Sequence, residues 1–210
     1  MLQLLNFEKN YGTKRIITVE SMSFHAGVYW IRGANGSGKS TLFKALAGLI
    51  PCKGKVLLDD NISLHEHPVE YRRRVNFSEA EPLYPSFLTG KEIFNFAAHA
   101  KSVTANRQEE IIERFGIGQF LKQPCGTYSS GITKRLSLAI AFLGTPQVII
   151  LDEPLITLDA GIRDTLTTLM KNMLPEKRVV FLLSSHEHLT DSYLPIANSL
   201  VIDNHTLNPV

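Results

Sequence analysis

The sequence predicts an α/β fold, a mostly parallel sheet buried on both faces with a helical segment inserted into it. Three observations carry this expectation. In the last third of the chain, short apolar runs such as Val148 to Leu151 and Val179 to Leu183 alternate with segments of helical periodicity, the pattern of a parallel sheet covered by helices. Between Pro82 and Gly144 the strand signals stop, and stretches with helical apolar spacing follow one another. The length, 210 residues, suits one domain with a subdomain. We therefore assign one domain over 1–210, with a core lobe of about 1–81 and 145–210 and a helical subdomain of about 82–144.

Taken in order, Leu2 to Phe7, Ile16 to Phe24 and Gly27 to Arg32 are β-branched or alternating runs punctuated by Gly12 and Gly27, and read as strands. Lys39 to Leu49 reads as a helix closed by Gly48 and Pro51. Lys55 to Leu58 and Arg74 to Phe77 are strand candidates. Glu92 to Lys101, Arg107 to Phe115 and Gly131 to Leu143 have helical spacing. Strands return at Val148 to Leu151, Val179 to Leu183 and Asn198 to Ile202, with helices at Ala160 to Met173 and Glu187 to Tyr193 between them.

Composition excludes several classes. Apolar residues make up 44% of the chain and charged residues 20%, enough for a core without staples and unlike a disordered chain. A formal net charge of +2 is too mild for a dedicated nucleic-acid binder. The longest apolar run, Leu138 to Leu143, falls far short of the roughly 20 residues of a membrane span. The start, Met1 to Asn6, lacks the basic, apolar and small-residue regions of a secretory signal. Two cysteines, Cys52 and Cys125, form no framework and fit a reduced, cytoplasmic compartment. His65-Glu66-His67 and His186-Glu187-His188 lack a third convergent ligand and read as polar loop residues.

The most specific local pattern is Gly33-Ala34-Asn35-Gly36-Ser37-Gly38-Lys39-Ser40-Thr41, a G-x-x-x-x-G-K-[ST] phosphate-binding loop between a strand and a helix. Glycines let successive backbone N–H groups turn toward one anion, and the following helix adds its partial positive end. Lys39 supplies a mobile cation for the β- and γ-phosphates, and Ser40 a hydroxyl ligand for Mg²⁺. Downstream, the apolar run Val148 to Leu151 ends in Asp152-Glu153-Pro154. A buried parallel strand delivers such acids to the carboxyl edge of the sheet, where ligands bind. Asp152 is expected to hold Mg²⁺, and Glu153 to polarise an attacking water.

These two motifs, with Tyr128-Ser129-Ser130-Gly131-Ile132 between them, resemble the nucleotide-binding subunits of ABC transporters. The family signature is commonly Leu-Ser-Gly-Gly-Gln. Ser129 and Gly131 match it, Lys134 and Arg135 follow, and Tyr128, Ser130 and Ile132 depart from it. Leu158-Asp159 resembles the family's D-loop pair, Ser185-His186 its switch histidine, and Tyr11 the aromatic that stacks on adenine. The glutamine that usually precedes the helical subdomain is missing from Arg74 to Pro82. Glu79 stands near its place, and Ala80 aligns about as well.

The resemblance implies a P-loop NTPase with an N-terminal antiparallel β part, binding ATP and Mg²⁺. It implies catalytic roles for Glu153, His186 and Lys39, and nucleotide contacts from Tyr11, from Gly33 to Thr41, and from Ser129, Gly131 and Asp159. Metal contacts fall to Ser40, Asp152 and Glu79. ATP would be sandwiched between two such subunits, in a homodimer or heterodimer, driving a separate multi-span permease from the cytoplasmic face of the membrane. No nucleic-acid partner is expected. The competing readings are a soluble ATPase of the same type uncoupled from transport, and a degenerate nucleotide-binding module.

Overall fold

The computed structural model describes residues 1–177, 179–185 and 196–210. The chain opens with an antiparallel ribbon, β1 (Leu2–Tyr11) and β2 (Lys14–Phe24), then β3 (Gly27–Arg32) and helix α1 (Lys39–Leu46). Strands β4 (Lys53–Leu58) and β5 (Ile62–Ser63), helix α2 (Pro68–Arg74) and β6 (Val75–Ser78) follow. The insertion holds α3 (Gly90–Ala100), α4 (Ala105–Arg114) and α5 (Ser130–Ala141). The chain returns through β7 (Val148–Leu151), α6 (Ala160–Lys177), β8 (Val180–Ser184), β9 (Ile196–Asp203) and β10 (Thr206–Pro209).

Among the described residues these strands form one sheet in the order β5-β4-β1-β2-β10-β9-β3-β8-β7-β6. The half from β9 to β6 is parallel. The half from β5 to β2 is antiparallel, as expected. The two halves meet at β10, which pairs antiparallel with β9 and parallel with β2 through Thr206 and Thr18.

Period-2 alternation explains the two cores. On β7, Val148 and Ile150 face one side with α1 and the antiparallel ribbon, beside Leu42, Phe43 and Leu46. Ile149 and Leu151 face the other, with Phe94, Ile111, Phe115 and Phe142 of the insertion and Leu166 and Met170 of α6. β3 and β8 split the same way, Tyr29 and Leu182 to one core, Trp30 and Phe181 to the other. The helical insertion thus covers one face of the parallel half.

Boundaries shift for local reasons. α1 ends three residues earlier than its apolar spacing suggests, because Gly48 takes a left-handed φ of 71° and stops the helix. α3 begins two residues early because Thr89 and Glu92 form a capping box, with the Thr89 N–H donating to Glu92 Oε2 at 2.8 Å. α2, β5 and β10 were not expected from the sequence. The expected helix Glu187 to Tyr193 lies outside the described residues.

Lys101, at the end of α3, fastens the insertion to the core. Its ammonium donates to the carbonyls of Arg72 at 2.5 Å, Arg73 at 3.2 Å and Val75 at 3.1 Å, closing the C-terminus of α2. Burial pushes its pKa down from 10.5 to about 8. The folded state therefore releases a proton that the unfolded chain keeps until 10.5. The burial cost is complete below pH 8 and is relieved as pH rises toward 10.5. Urea unfolding across this window should show wild type gaining stability relative to Lys101→Met. A difference that stays flat would show that Lys101 does not titrate there.

Candidate functional site

The loop between β3 and α1 turns back on itself. Gly33 has φ 154° and Gly38, the residue that caps α1, has φ 107°, conformations that side chains rarely adopt. A Cβ at Gly33 would fall 2.5 Å from Ser37 Oγ, and one at Gly38 would fall 3.0 Å from Ile16 Cγ2. The loop is therefore a cradle that only glycine permits. Lys39, buried, curls over it and donates to the carbonyls of Gly33 at 2.7 Å and Ala34 at 3.1 Å.

The buried strand β7 delivers Asp152 and Glu153 beside that loop. Both are buried. Asp152 N–H donates to the Ser78 carbonyl at 2.9 Å, continuing the pairing of β7 with β6. Ser184, the last residue of β8, donates its hydroxyl to Asp152 Oδ1 at 2.6 Å and accepts the Glu153 N–H at 2.9 Å. Glu153 has a φ of 47°, a left-handed conformation costing a non-glycine residue roughly 1–3 kcal/mol.

These elements enclose a cavity of about 420 Å³ lined by Asn35, Gly36, Gly38, Lys39, Ser40 and Thr41 from the loop and α1, by Asp152, Glu153 and Ile156 from the end of β7, by Ala80 and Glu81, and by Ile16 of β2. A larger cavity, about 650 Å³, opens between β2 and β10 and carries none of the motif residues. The smaller one joins a lysine, a hydroxyl and two carboxylates, so the chemistry is there. Its donors suit a phosphate held by backbone and ammonium, and the Ser40 hydroxyl and Asp152 carboxylate are hard oxygens of the kind that hold Mg²⁺.

Other expected residues lie elsewhere. Ser129 caps α5, accepting the Ile132 N–H at 3.3 Å. A Cβ on Gly131 would stand 3.2 Å from the Thr157 carbonyl. Asp159 accepts the Ile162 N–H at 3.1 Å at the start of α6 and pairs with Arg135 of α5. The Ile162 N–H, ahead of Arg135, holds its pKa below the usual carboxylate range. Ser129, Gly131 and Asp159 thus share one surface, and none of them lines the cavity.

Tyr11 is 52% exposed, with the Lys9 ammonium 4.6 Å from its ring centroid. Ile16, rather than Tyr11, is the apolar residue of the ribbon that reaches the cavity. Glu79 departs from expectation. Its carboxylate faces Lys44 of α1 at 3.5 Å, drawn there by the opposite charge, and the next two residues line the cavity instead. His186 lies outside the described residues.

Sequence reasoning missed Ser184 and Lys134. Lys134 is 1% exposed in α5 and donates to the carbonyls of Glu79 at 2.5 Å, Ala80 at 3.3 Å and Asp152 at 2.8 Å. Burial pushes its pKa down to about 8, against the pull of Asp152, Glu153 and Glu79. Its place was readable: positions 134, 137, 138 and 141 follow one helical face, and that face is buried. Ser184 carries no such signal, because its partners lie on another strand.

The family described as ABC transporter matches residues 20–156. The uncharacterised ABC transporter ATP-binding protein YhcH of Bacillus subtilis is 34% identical over 190 residues, 89% of this chain and 62% of that protein. YdbJ of the same organism, also an uncharacterised ABC transporter ATP-binding protein, is 33% identical over 170 residues, 78% of this chain and 54% of that protein. The chain thus spans less than two thirds of the length of these two relatives. The lantibiotic transport ATP-binding protein SrtF of Streptococcus pyogenes is 30% identical over 199 residues, 91% of this chain and 84% of that protein.

Among solved structures, an ATP-binding subunit of an ABC transporter superposes with a TM-score of 0.87 at 21% identity, covering 99% of this chain and 88% of that one. A dimeric, post-hydrolysis ATP-binding cassette bound to ADP and Pi superposes with a TM-score of 0.83 at 20% identity, covering 99% and 96%. The structural likeness shows that the chain shares the fold of these cassettes. With the sequence match running from β2 past the acids at the end of β7, the chain belongs to the ABC transporter family.

Proposed function

We propose that the chain binds ATP with Mg²⁺ in the 420 Å³ cavity and hydrolyses it, as the motor subunit of a transporter. The observation that carries this is the meeting of Lys39, Ser40, Asp152 and Glu153 around one cavity. The cradle at Gly33 to Gly38 would take the phosphates, and Lys39 would turn from its loop carbonyls to their oxygens. Ser40 and Asp152 would hold Mg²⁺, which when bound neutralises phosphate charge. Glu153 would orient and deprotonate the attacking water. Mixing the chain with ATP and Mg²⁺ and following ADP and phosphate release tests the reading. Nucleotide that binds without turnover would favour a degenerate binding module.

A second subunit, identical or related, would bring its Ser129 and Gly131 surface against this cavity. Those residues stand apart from the cavity within one chain, which supports completion by a partner. Among the described residues no helix is long and apolar enough to cross a membrane. Membership of the ABC transporter family supports a multi-span permease as the membrane partner, with this chain peripheral on its cytoplasmic side. The helical subdomain, about 82–144, would carry the contact. Leu83, Phe87 and Phe96 there are 91%, 80% and 79% exposed. Tyr84 instead packs on the core, and its pKa is pushed up to about 12 by burial. Phe87→Glu should therefore uncouple hydrolysis from transport at unchanged melting temperature, read as transport per ATP in reconstituted vesicles. Loss of stability without loss of coupling would return Phe87 to a packing role.

A further inference from the structure

We infer that Lys134 is a positioning residue for hydrolysis: it clamps the peptide linking Asp152 to Glu153 and ties that peptide to the Glu79–Ala80 turn at the root of the helical insertion. This rests on the ATPase reading above. The peptide in question has chemistry at both ends, with the proposed metal-binding acid before it and the proposed base after it. Its two polar groups are gripped from opposite sides. The Asp152 carbonyl accepts from Lys134 Nζ at 2.8 Å, and the Glu153 N–H donates to Ser184 Oγ at 2.9 Å. Ser184 also holds the Asp152 carboxylate, at 2.6 Å.

Such a grip has a purpose here. Glu153 is left-handed at φ 47°, a conformation that persists only where the surroundings over-determine it. Rotating the peptide plane would swing the Glu153 side chain, and misplacing a reacting group by about 1 Å can cost on the order of 10²-fold in rate. Ser184 is itself part of the sheet and can only hold. Lys134 lies in α5, the helix capped by Ser129, and the same ammonium donates to the Glu79 carbonyl at 2.5 Å and the Ala80 carbonyl at 3.3 Å. Its three N–H groups thus meet three carbonyls, which offsets the cost of burying a cation. A shift of α5 or of the turn reaches the Asp152–Glu153 peptide directly through this ammonium. An apolar side chain would fill the space and transmit nothing.

Two uncharged substitutions separate donation from packing. Lys134→Met keeps length and bulk and donates nothing, whereas Lys134→Gln keeps two N–H donors. Steady-state hydrolysis and melting temperature are measured on the purified chain and both variants. We expect Lys134→Met to lose on the order of 10- to 100-fold in kcat with KM for Mg·ATP little changed, the mark of an interaction felt in the chemical step. Lys134→Gln should recover much of that loss at a melting temperature equal to that of Lys134→Met. If Lys134→Met fails to fold, Lys134→Gln alone must show reduced kcat at unchanged KM. Wild-type kcat in folded Lys134→Met, wild-type kcat in Lys134→Gln where Lys134→Met does not fold, or a kcat that follows melting temperature alone overturns the inference. A wild-type chain that does not hydrolyse ATP overturns the functional reading and this inference with it; an active wild type matched by Lys134→Met overturns the inference alone.

Discussion

The Glu153→Gln variant is expected to bind Mg·ATP with wild-type affinity and to lose turnover by on the order of 10²-fold or more. Glutamine has the volume of glutamate and leaves the Glu153 N–H on Ser184 at 2.9 Å, so the peptide keeps its place. What it loses is the ability to accept a proton. The residue is buried and lines the cavity, so no outside carboxylate can replace it. Single-turnover phosphate release beside a calorimetric binding isotherm separates the two effects. The variant should also accumulate an ATP-bound dimer, measurable by light scattering, because the sandwich would form and not be spent. Turnover at the wild-type rate would remove Glu153 from the chemistry.

Lys39→Ala should weaken Mg·ATP binding by roughly 10- to 100-fold, the value of one hydrogen bond to a charged group, worth about 1.5–3 kcal/mol. Two losses combine. The ammonium is the mobile counter-charge of the site. It also ties the loop together by bonding the Gly33 and Ala34 carbonyls at 2.7 and 3.1 Å, so without it the cradle is less ordered before the nucleotide arrives. Lys39→Arg keeps the charge but places a larger, planar group in a buried position, and should recover binding only in part. Unchanged calorimetric affinity in Lys39→Ala would refute the phosphate-loop assignment.

What was legible in the sequence was local and contiguous. The phosphate loop is nine successive residues, Gly33 to Thr41, between a strand and a helix, and its backbone conformation follows from its own glycines. The acids at the end of β7 follow directly from an apolar run. Parallel and antiparallel halves were both expected, and both are present. What was hidden depends on residues far apart in the chain. Glu79 could be assigned to the cavity only by ignoring Lys44, 35 positions earlier, which draws its carboxylate away. Ser184 meets Asp152 across two strands, and Lys134 meets it across a helix and a strand. β10 is a short polar tail whose strand character comes from its neighbours β9 and β2 rather than from its own residues.

The strand β10 also makes the sheet a jointed rather than a continuous plate. Its register with β2 is the single pair Thr206 and Thr18, backed by the Thr18 N–H on the His205 carbonyl at 2.8 Å and by His205 Nδ1 beside the Ile16 carbonyl at 3.0 Å. Past Thr18 the two strands diverge around the 650 Å³ cavity. Side chains, Phe7, Ile17 and Leu207 among them, bridge the halves on one face. A joint held by apolar contact on one side and a few backbone bonds at one end resists separation but yields to twisting, because apolar contact has no preferred direction and hydrogen bonds do. Ile16, two residues before Thr18 on β2, lines the 420 Å³ cavity, so the joint between the two halves of the sheet sits beside the candidate site.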